Sequence, residues 1–320
     1  MKKILFMLIA FAVFHNLNGQ TTEPETTLRK QKTDSIEGWK KGGNISINLT
    51  QASFKNWSAG GQNSIAVNGL LSTFANYKKG NSSWDNMLDM GYGLLHQGKD
   101  EVIKTDDKID LSSKYGYALS KKMYTAFLAS FKTQMAKGYN YPNDTDVISD
   151  FLSPGYLLGA AGLDYRPNDD LSVFLAPLTG RITIVNNQML ADAGSYGVEA
   201  ATYDDNGVLL SHGSNILTEF GGYTRITYKH LFFKDESVGI LTKLDLFSNY
   251  IRNPQNIDVS WETIITLKVN KYISANITTH LLYDDDTDID IDSNEDGITD
   301  ESGPRLQFKQ VLGIGFSYKF

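Results

Sequence analysis

The sequence contains no cysteine, little proline and no apolar run long enough for a transmembrane helix. Cysteine is absent and proline occurs seven times in 320 residues. The lack of cysteine excludes disulfides and a cysteine-linked lipid anchor. A helix needs about 20 consecutive apolar residues to cross a bilayer, so the sequence does not predict a helical membrane protein. Excess basic charge is also missing, since the formal net charge is −7, which argues against nucleic-acid binding.

The first residues have the pattern of a secretory signal peptide. Lys2 and Lys3 precede an apolar stretch from Ile4 to Phe14, and a polar segment with a small residue follows. This apolar stretch is too short to span a membrane. We therefore expect cleavage near Gly19 or Gln20. The expected organisation is a signal peptide over 1–19, a periplasmic N-terminal tail over 20–42 and one folded domain over 43–320.

The strongest signal in the remaining chain is a period-two alternation of apolar and polar residues. In the last segment Ile314, Phe316 and Tyr318 alternate with the small residues Gly313 and Gly315. This period is typical of β-strands. We identify twelve such segments, namely 43–54, 63–78, 82–96, 107–120, 123–138, 155–166, 171–185, 216–230, 237–249, 257–269, 272–283 and 304–320.

Short and long connections alternate between these segments. Short turns such as 79–81 and 121–122 alternate with longer loops such as 139–154 and 186–215. An even strand count with this alternation is typical of outer-membrane barrels, whose turns are periplasmic and whose loops are extracellular. A soluble β-sandwich or lipocalin-like barrel is disfavoured, because soluble strands average five or six residues. The sequence predicts an all-β, transmembrane antiparallel up-and-down β-barrel of about 12 strands in the cell outer membrane, in contact with outer-membrane lipid.

Charged residues occupy the polar face in the middle of many segments, and we predict that they line the lumen. A charge inside a barrel is costly unless it is paired or hydrated. Two interpretations remain open: a water-filled pore that passes small polar solutes, and an ion-pair network that closes the lumen. The acidic residues predicted to line the lumen are Asp85, Asp89, Asp110, Asp164, Glu219, Asp245 and Glu262, and the basic ones are Lys114, Lys132, Arg166, Arg181, Arg225, Lys229, Lys243, Lys268, Arg305 and Lys309.

Proline and aromatic residues mark two further features of the wall. Pro177 interrupts an otherwise regular strand, and proline removes a donor from the ladder. Because a closed barrel has no edge, a β-bulge is expected there. The chain ends in Phe320 on an alternating strand, which is typical of the signal read by the barrel-assembly machinery. Trp57 and Trp84 are expected to anchor the rims at the membrane interface.

The segment 284–303 is strongly acidic and contains a candidate calcium loop. Its ligands would be Asp292, Asn294, Asp296 and Asp300, together with the backbone carbonyl of Ile298. Gly297 stands where a calcium loop turns sharply. The bidentate glutamate expected at the twelfth position is missing, because Gly303 occupies it. The alternative is a solvated acidic loop, so calcium is a possible ligand and not a required cofactor.

One short segment carries residue types used in nucleophilic catalysis. His212, Ser214 and Asn215 lie together in a long loop, and outer-membrane phospholipases use serine, histidine and asparagine. Such a triad depends on spatial geometry, which four neighbouring loop residues do not establish. We therefore predict no catalytic residues and no enzyme activity.

Several stretches resemble an outer-membrane barrel family of Bacteroidetes that is catalogued as a domain of unknown function. They are 56–64 (NWSAGGQNS), 84–94 (WDNMLDMGYGL), 176–185 (APLTGRITIV) and the final aromatic strand. The resemblance implies the location and the fold and leaves the function open. Three functions are carried forward: a narrow channel or a surface or assembly component, a non-conducting barrel that binds a partner through its extracellular loops, and a phospholipase-like lipid hydrolase.

Overall fold

Within the described residues, twelve antiparallel strands form a closed barrel in a computed structural model of the chain. The structure describes residues 37–53, 62–98, 101–141, 143–168, 170–233, 237–270, 273–291 and 301–320. The barrel strands are β1 (Gly38–Ala52), β2 (Ser64–Lys79), β3 (Ser82–Gln97), β4 (Ile103–Ala118), β5 (Met123–Thr133), β8 (Gly155–Tyr165), β9 (Leu171–Ile184), β12 (Ile216–Phe232), β13 (Val238–Asn249), β14 (Asp258–Lys268), β15 (Ile273–Tyr283) and β18 (Gln307–Lys319).

Each barrel strand pairs with the next one along the chain, and β18 pairs with β1 to close the ring. The predicted fold class is therefore confirmed, and the twelve predicted segments correspond one to one with the barrel strands. Three boundaries differ by four or five residues: β1 begins at Gly38 and not near 43, β4 begins at Ile103 and not at 107, and β5 ends at Thr133 and not at 138. The added residues of β1 pack at the rim, where the Trp39 ring lies 5.3 Å from that of Tyr77 and 5.8 Å from that of Trp84.

Short turns gather at one end of the barrel, here called the turn end, and long loops gather at the other, the loop end. The loop end carries small elements of its own: β6 (Gly138–Tyr139), β7 (Val147–Ser149), α1 (Gln188–Asp192), a 3-10 turn (Ser195–Gly197), β10 (Thr202–Tyr203), β11 (Leu209–Ser211), β16 (Asp288–Ile291) and β17 (Glu301–Pro304). Among the described residues, the structure contains no helix of the length and apolar character that a membrane crossing needs.

Side chains alternate strictly between the two faces of the wall. On β13, Leu241, Lys243 and Asp245 are buried toward the interior, while Ile240 and Leu244 face outward and are only partly covered. The same parity exposes a continuous apolar outer face, which includes Ile45, Ile47, Leu49, Val67, Tyr92, Leu111, Tyr115, Phe127, Leu157, Leu163, Leu175, Phe220, Trp261, Leu312, Ile314 and Phe316. An inverted pattern of this kind, apolar outside and charged inside, is that of a membrane barrel.

Pro177 lies in a β-bulge, as the sequence predicted. In the pairing of β9 with β8, Ala161 lies opposite Leu178 and Leu163 lies opposite Leu175. Gly162 of β8 therefore lies opposite two residues of β9. On the other side the register with β12 also shifts, between Gly221 and Tyr223. A Cβ atom on Gly162 would lie only 1.9 Å from the carbonyl oxygen of Leu175. The bulge therefore brings two backbones together and requires glycine at 162.

Candidate functional site: the barrel interior

The loop-end half of the interior is filled by the side chains of the wall itself. Glu219 and Thr183 each expose 2% of their surface and Asn48 exposes 1%. Other inner-face residues in this half are equally covered, namely Asn68, Asp106, Thr133, Thr179 and Asn249. In an open pore, water would reach these side chains. Their burial shows that this half of the lumen is constricted.

Ion pairs cross the lumen between strands that are not neighbours. Lys309 Nζ on β18 lies 3.2 Å from Asp106 Oδ1 on β4, although β1, β2 and β3 stand between these strands in the ring. Lys114 Nζ on β4 lies 2.8 Å from Asp164 Oδ2 on β8, across β5. A pair of this kind occupies the lumen itself, because its side chains must extend away from the wall to meet.

The carboxylate of Asp164 is enclosed completely, with 0% of its side chain exposed. Besides Lys114, it accepts hydrogen bonds from Arg166 Nη2 at 2.7 Å and from Ser172 Oγ at 2.7 Å. Arg166 also stacks over the ring of Tyr124 at 4.8 Å and lies 3.7 Å from Asp85. A buried carboxylate with this many donors is stable as a charge. The cluster joins five strands of the wall near the turn end, namely β3, β4, β5, β8 and β9.

A second charged cluster lies near the loop end and centres on Arg181. Its Nε and Nη2 donate to Glu219 at 2.5 and 2.6 Å, and its Nη1 donates to Asp258 at 2.6 Å. The guanidinium group lies 4.2 Å from the ring centre of Phe247. All three nitrogen atoms of the guanidinium group therefore donate a hydrogen bond. Asp258 lies on β14, and β12 and β13 stand between that strand and β9, which carries Arg181. Arg181 therefore holds strands that do not pair with each other.

Most of the remaining predicted lumen residues lie on the same inner face, mainly as neighbouring-strand pairs. Arg225 donates to Asp245 through Nε at 2.6 Å and through Nη2 at 2.8 Å, a two-point contact. Two further pairs join neighbouring strands: Lys243 Nζ lies 3.3 Å from Glu262 Oε2, and Lys132 Nζ lies 3.7 Å from Asp110 Oδ2. Asp89 accepts a hydrogen bond from Ser72 Oγ at 2.5 Å. Lys268 lies at the exposed turn-end terminus of β14. Together these contacts form a network of ion pairs and hydrogen bonds on the inner face of the wall.

An apolar cluster fills the interior beside the bulge. Phe174 exposes 1% of its surface, and its ring packs edge-on against Tyr223 with centroids 6.3 Å apart. The cluster is completed by Ala126, Leu128, Leu158, Ala160, Ala176 and Phe247. The alternation pattern alone did not indicate this cluster, because apolar residues at these positions interrupt an otherwise polar face. Their position inside the wall became clear only from the closed ring.

The turn end opens into a cavity of about 840 Å³, here called the vestibule. Its deep boundary is formed by Leu128 and Phe174 together with Arg225 and Lys243. Its charged lining consists of Lys40, Lys78, Asp85, Asp89, Asp110, Lys114, Lys121, Lys122, Arg166, Asp170, Arg225, Lys229 and Lys243. Basic residues outnumber acidic ones in this lining, although Lys114, Arg166, Arg225 and Lys243 are paired with carboxylates outside it.

The long loops pack into a folded layer over the opposite end. Val185, Leu190, Ala191 and Val198 form a buried cluster with Val147, Tyr196 and Leu217. The Tyr196 hydroxyl donates to the carbonyl of Ile148 at 2.5 Å, and burial raises the pKa of Tyr196 to about 12. A Cβ on Gly197 would contact the side chain of Asp286 at 3.1 Å. Three loops therefore touch one another at the loop end, and they are called here the loop layer.

The histidine and serine of the 212–215 segment serve the loop layer and not each other. His212 Nδ1 lies 3.0 Å from Asp192 Oδ2 and the backbone N–H of Gly213 donates to Asp192 Oδ1 at 2.8 Å. Ser214 Oγ donates to the carbonyl of Ile216 at 2.8 Å, and Asn215 Nδ2 donates to that of Val185 at 2.7 Å. A serine nucleophile needs its hydroxyl on the base. This geometry offers no support for the lipid-hydrolase hypothesis.

The candidate calcium ligands, Asp292, Asn294, Asp296, Ile298 and Asp300, lie outside the described residues. Within the part of the chain that the structure does describe, no group of three or more acidic, histidine or cysteine side chains could hold a metal ion. Calcium binding by this loop therefore stays a prediction.

Two acidic residues of the interior were not among the residues predicted to line the lumen. Asp106 fell just before a predicted segment that started at 107, although it shares the parity of Asp110 on β4. Asp258 shares the parity of Glu262 on β14 and was likewise passed over at a segment boundary. Extending the alternation by one residue before 107 would have found Asp106, and following it to the start of the segment 257–269 would have found Asp258.

Part of the chain matches a known but uncharacterised family. Residues 49–139 match the profile of a family described as "Protein of unknown function (DUF3078)", which confirms the resemblance to such a family over that part. Its restriction to Bacteroidetes stays a prediction. No curated protein matches the chain significantly.

Solved structures with similar folds include three outer-membrane proteins. An outer-membrane channel from Pseudomonas putida F1 is 11% identical, with 94% of this chain and 100% of that one covered, at a TM-score of 0.39. The NanC porin is 10% identical, with 86% and 98% covered, at 0.36. The translocator domain of the autotransporter NalP from Neisseria meningitidis is 10% identical, with 89% of each chain covered, at 0.31. At these identities and TM-scores the comparisons carry no argument about function.

Proposed function

We propose that this protein is a non-enzymatic barrel of the cell outer membrane, closed to ions in its resting state, that binds a partner through its extracellular loop layer. The observation that carries the proposal is the interior: the inner face of the loop-end half is buried, and the pair of Lys309 and Asp106 extends across the lumen. A barrel used as a pore keeps such charges hydrated on the wall. Here the two charged groups meet inside the lumen, and the side chain of Asp106 is only 7% exposed.

The membrane location is supported by the outer face. Ile314 and Phe316 each expose more than half of their surface, at 64% and 67%, and many similar residues surround the barrel. In water this area would be a strong aggregation hazard, whereas in lipid it is the expected surface. Fractionation should recover the protein in the outer membrane, with gel mobility that changes on heating. Recovery in the soluble periplasmic fraction would contradict the location.

The loop layer is the surface that the proposal assigns to the partner. Its own hydrophobic cluster holds it in one shape, so it offers a preformed surface and not a set of independent loops. Exposed apolar residues on it include Phe151, Met189 and Leu210. Anchors of this type, surrounded by polar groups, are common in protein interfaces.

Planar-bilayer recording tests the closed state. The wild-type protein should show no steady conductance, while Arg181→Ala combined with Glu219→Ala should produce openings, because that ion pair is buried in the constricted loop-end half. Ile240→Ala, on the outer face of β13, is the matched control and should stay closed. Steady conductance of the wild type would favour the second candidate.

That second candidate is a narrow channel for small polar solutes, and the vestibule favours it. A cavity of about 840 Å³ with mainly basic lining could collect anionic solutes at the turn end. If wild-type conductance is found, its ion preference identifies the pathway. Anion selectivity that weakens in a Lys121→Glu, Lys122→Glu variant would assign the flow to the vestibule.

A further inference from the structure

A groove with a volume of about 520 Å³ crosses the outer face of the wall from β4 to β9. Small residues form its floor, and they lie directly opposite one another on neighbouring strands. Ser113 of β4 pairs with Ala129 of β5, and Ala129 pairs with Gly159 of β8. Gly159 in turn pairs with Gly180 of β9. Residues opposite each other share one face of a sheet, so this floor is a continuous row on the outside of the barrel.

Large apolar side chains border the floor on its loop-end side. They form the next row, two residues along each strand, and all of them line the groove: Leu111, Phe131, Leu157 and Ile182. Beyond β9 the floor ends, because Phe220 of β12 lies opposite Gly180 and exposes 43% of its surface. The groove is therefore apolar and is closed at this end by an aromatic ring.

The fold does not require the two glycines of the floor. Among the described residues, a Cβ on Gly180 would meet no atom within 4 Å, and one on Gly159 would meet only Phe127 at an ordinary 3.9 Å. Neither glycine has a positive φ. Glycine inside a strand weakens it, and it often marks a place where a ligand approaches closely. The bare floor therefore points to an occupant outside the chain.

The same row continues from Ser113 in the other direction and reaches a lysine. Ser113 pairs with Asn86 of β3, and Asn86 pairs with Ala75 of β2. Ala75 pairs with Lys41 of β1. Lys41 is exposed and shares the outward parity of Ile45 on the same strand. The row therefore has a cation at its β1 end and an apolar groove between β4 and β9.

No carboxylate of the described residues forms an ion pair with Lys41, whose Nζ lies 5.8 Å from the centre of the Trp39 ring. The nearby carboxylate of Glu37 accepts a hydrogen bond from the Gly80 N–H at 2.8 Å. A charge on the lipid side is costly unless it is paired or reaches the headgroups. The exposed rings of Trp39 and Trp84, 5.8 Å apart, place this end of the row at headgroup level. The anion available at that level is a lipid phosphate.

The length of the row matches one leaflet of a bilayer. Six strand spacings separate β1 from β9 in the ring, which is about 29 Å at about 4.8 Å each. Because barrel strands tilt by about 40°, a row perpendicular to them rises by about 19 Å through the membrane. One leaflet with its headgroups is about 20–22 Å thick. Lys41 is the fourth residue of β1 from the turn end and Gly180 the tenth of β9, so the row rises from the turn-end interface.

The width of the groove disfavours a helix or a second barrel as the occupant. The rows on the two sides of the floor are four residues apart, or about 13 Å between Cα atoms, and their side chains fill part of that distance. A helix with its side chains is about 10–12 Å wide. A second copy, related by a two-fold axis along the membrane normal, would present its row at the opposite tilt and touch this one at a single crossing. An acyl chain fits along the whole row.

We propose that this row is a binding site for one phospholipid of the leaflet at the turn end. The phosphate lies at Lys41, between the headgroup-level rings, and one acyl chain lies over Ser113, Ala129, Gly159 and Gly180. The turn end is periplasmic in the predicted topology, so the lipid belongs to the inner leaflet of the outer membrane. The inference rests on the membrane location proposed above, but not on the closed lumen or on the loop layer.

Native mass spectrometry of the full-length barrel tests the site. The barrel, folded in non-ionic detergent with added palmitoyl-oleoyl phosphatidylglycerol, should retain one phospholipid per chain. Diacylglycerol with the same acyl chains should bind about tenfold more weakly, because it lacks the phosphate. Inorganic phosphate should not displace the phospholipid, because it lacks the chain. Equal affinity for diacylglycerol, or displacement by phosphate, would overturn the proposal.

A side chain added to the floor locates the acyl chain. Gly180→Leu should keep at least the wild-type urea midpoint, since a Cβ there meets no atom, and should lower the phospholipid affinity about tenfold because leucine occupies the groove. Gly69→Leu is the matched control, since a Cβ on this glycine also meets no atom and its row, between Ile47 and Tyr92, is a different one. It should bind like the wild type. Equal affinities of the two variants would place the chain elsewhere and contradict the site.

A charge substitution locates the headgroup. Lys41→Gln should lower the phospholipid affinity about fivefold, the effect of one basic residue near lipid phosphates, and should leave diacylglycerol binding unchanged. Lys40→Gln is the control, because it makes the same change at the adjacent residue, which lines the vestibule. A loss in both variants, or in neither, would overturn the assignment of the phosphate to Lys41 and with it the proposal.

Failure of this site is distinguishable from failure of the proposed function. Recovery of the wild-type protein in the soluble periplasmic fraction would refute the membrane location itself. An outer-membrane protein whose Gly180→Leu variant binds phospholipid with wild-type affinity would refute only the groove. Neither result depends on whether the wild type conducts ions.

Discussion

Lys309 and Asp106 form an ion pair of 3.2 Å across the lumen, from strands separated by three others in the ring. The carboxylate of Asp106 is 7% exposed, while the ammonium side of the pair is 45% exposed. The two partners therefore depend on the contact to different degrees. Removal of the lysine leaves a buried charge, whereas removal of the carboxylate leaves a charge that water can reach.

The first prediction follows from this asymmetry. Lys309→Gln should destabilise the barrel by about 1–3 kcal/mol, because it leaves the buried carboxylate short of a donor. Asp106→Asn should cost less, and the double variant should recover part of the loss. Urea unfolding followed by gel mobility measures each value. Arg305→Gln is the control, since its exposed pair with Glu301 should contribute less than about 1 kcal/mol.

The second prediction concerns the outer face. Ile314→Arg should cost about 2–4 kcal/mol if the residue lies near the bilayer midplane, and less toward the interface. Lys268→Leu, at the exposed terminus of β14, should be nearly neutral. Both are measured as unfolding free energies in lipid vesicles. A neutral Ile314→Arg together with a damaging Lys268→Leu would mean that the two faces are reversed.

The third prediction concerns the bulge at Pro177. Since a ladder bond is already missing there, Pro177→Ala should change the free energy of unfolding by less than about 0.5 kcal/mol. Gly162→Ala should cost about 1–3 kcal/mol, because the new methyl group would overlap the backbone of Leu175. The opposite ranking in urea unfolding would contradict the close approach of β8 and β9.

The fourth prediction concerns pH and the loop layer. Hydrogen bonds from Gln188, from the N–H of Gly213 and from His212 lower the pKa of Asp192 below its usual value. A carboxyl group with a lowered pKa stabilises the folded loop above its unfolded pKa of about 3.9 and loses this effect as the pH falls through the folded value. Hydrogen exchange at Gly213 should therefore gain protection between acid and neutral pH.

Asp192→Ala should abolish that gain at Gly213. Asp204→Ala is the matched control, because Asp204 lies in a separate turn of the same loop, where the N–H groups of Val208 and Asn206 lower its pKa. It should leave the exchange at Gly213 unchanged. Unaltered pH dependence in Asp192→Ala would show that another group holds this segment.

The strand pattern and the membrane face follow from the sequence alone. The alternation of Ile314, Phe316 and Tyr318 with small and polar residues defines a two-faced strand, and the same pattern recurs in twelve segments of the chain. The bulge at Pro177 also follows, since proline cannot donate to a ladder. These features are local, because each depends on a residue and its immediate neighbours.

Contacts between strands that are not neighbours in the ring do not follow from such local patterns. No periodicity relates Lys309 to Asp106, or Arg181 to Asp258, because their strands meet only when the sheet closes on itself. The same holds for Phe174 and Tyr223 inside the wall. The sequence by itself determined a barrel with a lipid-facing surface and a charged interior. Only the tertiary structure decided that those charges meet and constrict the lumen, because ring closure sets which inner side chains face one another.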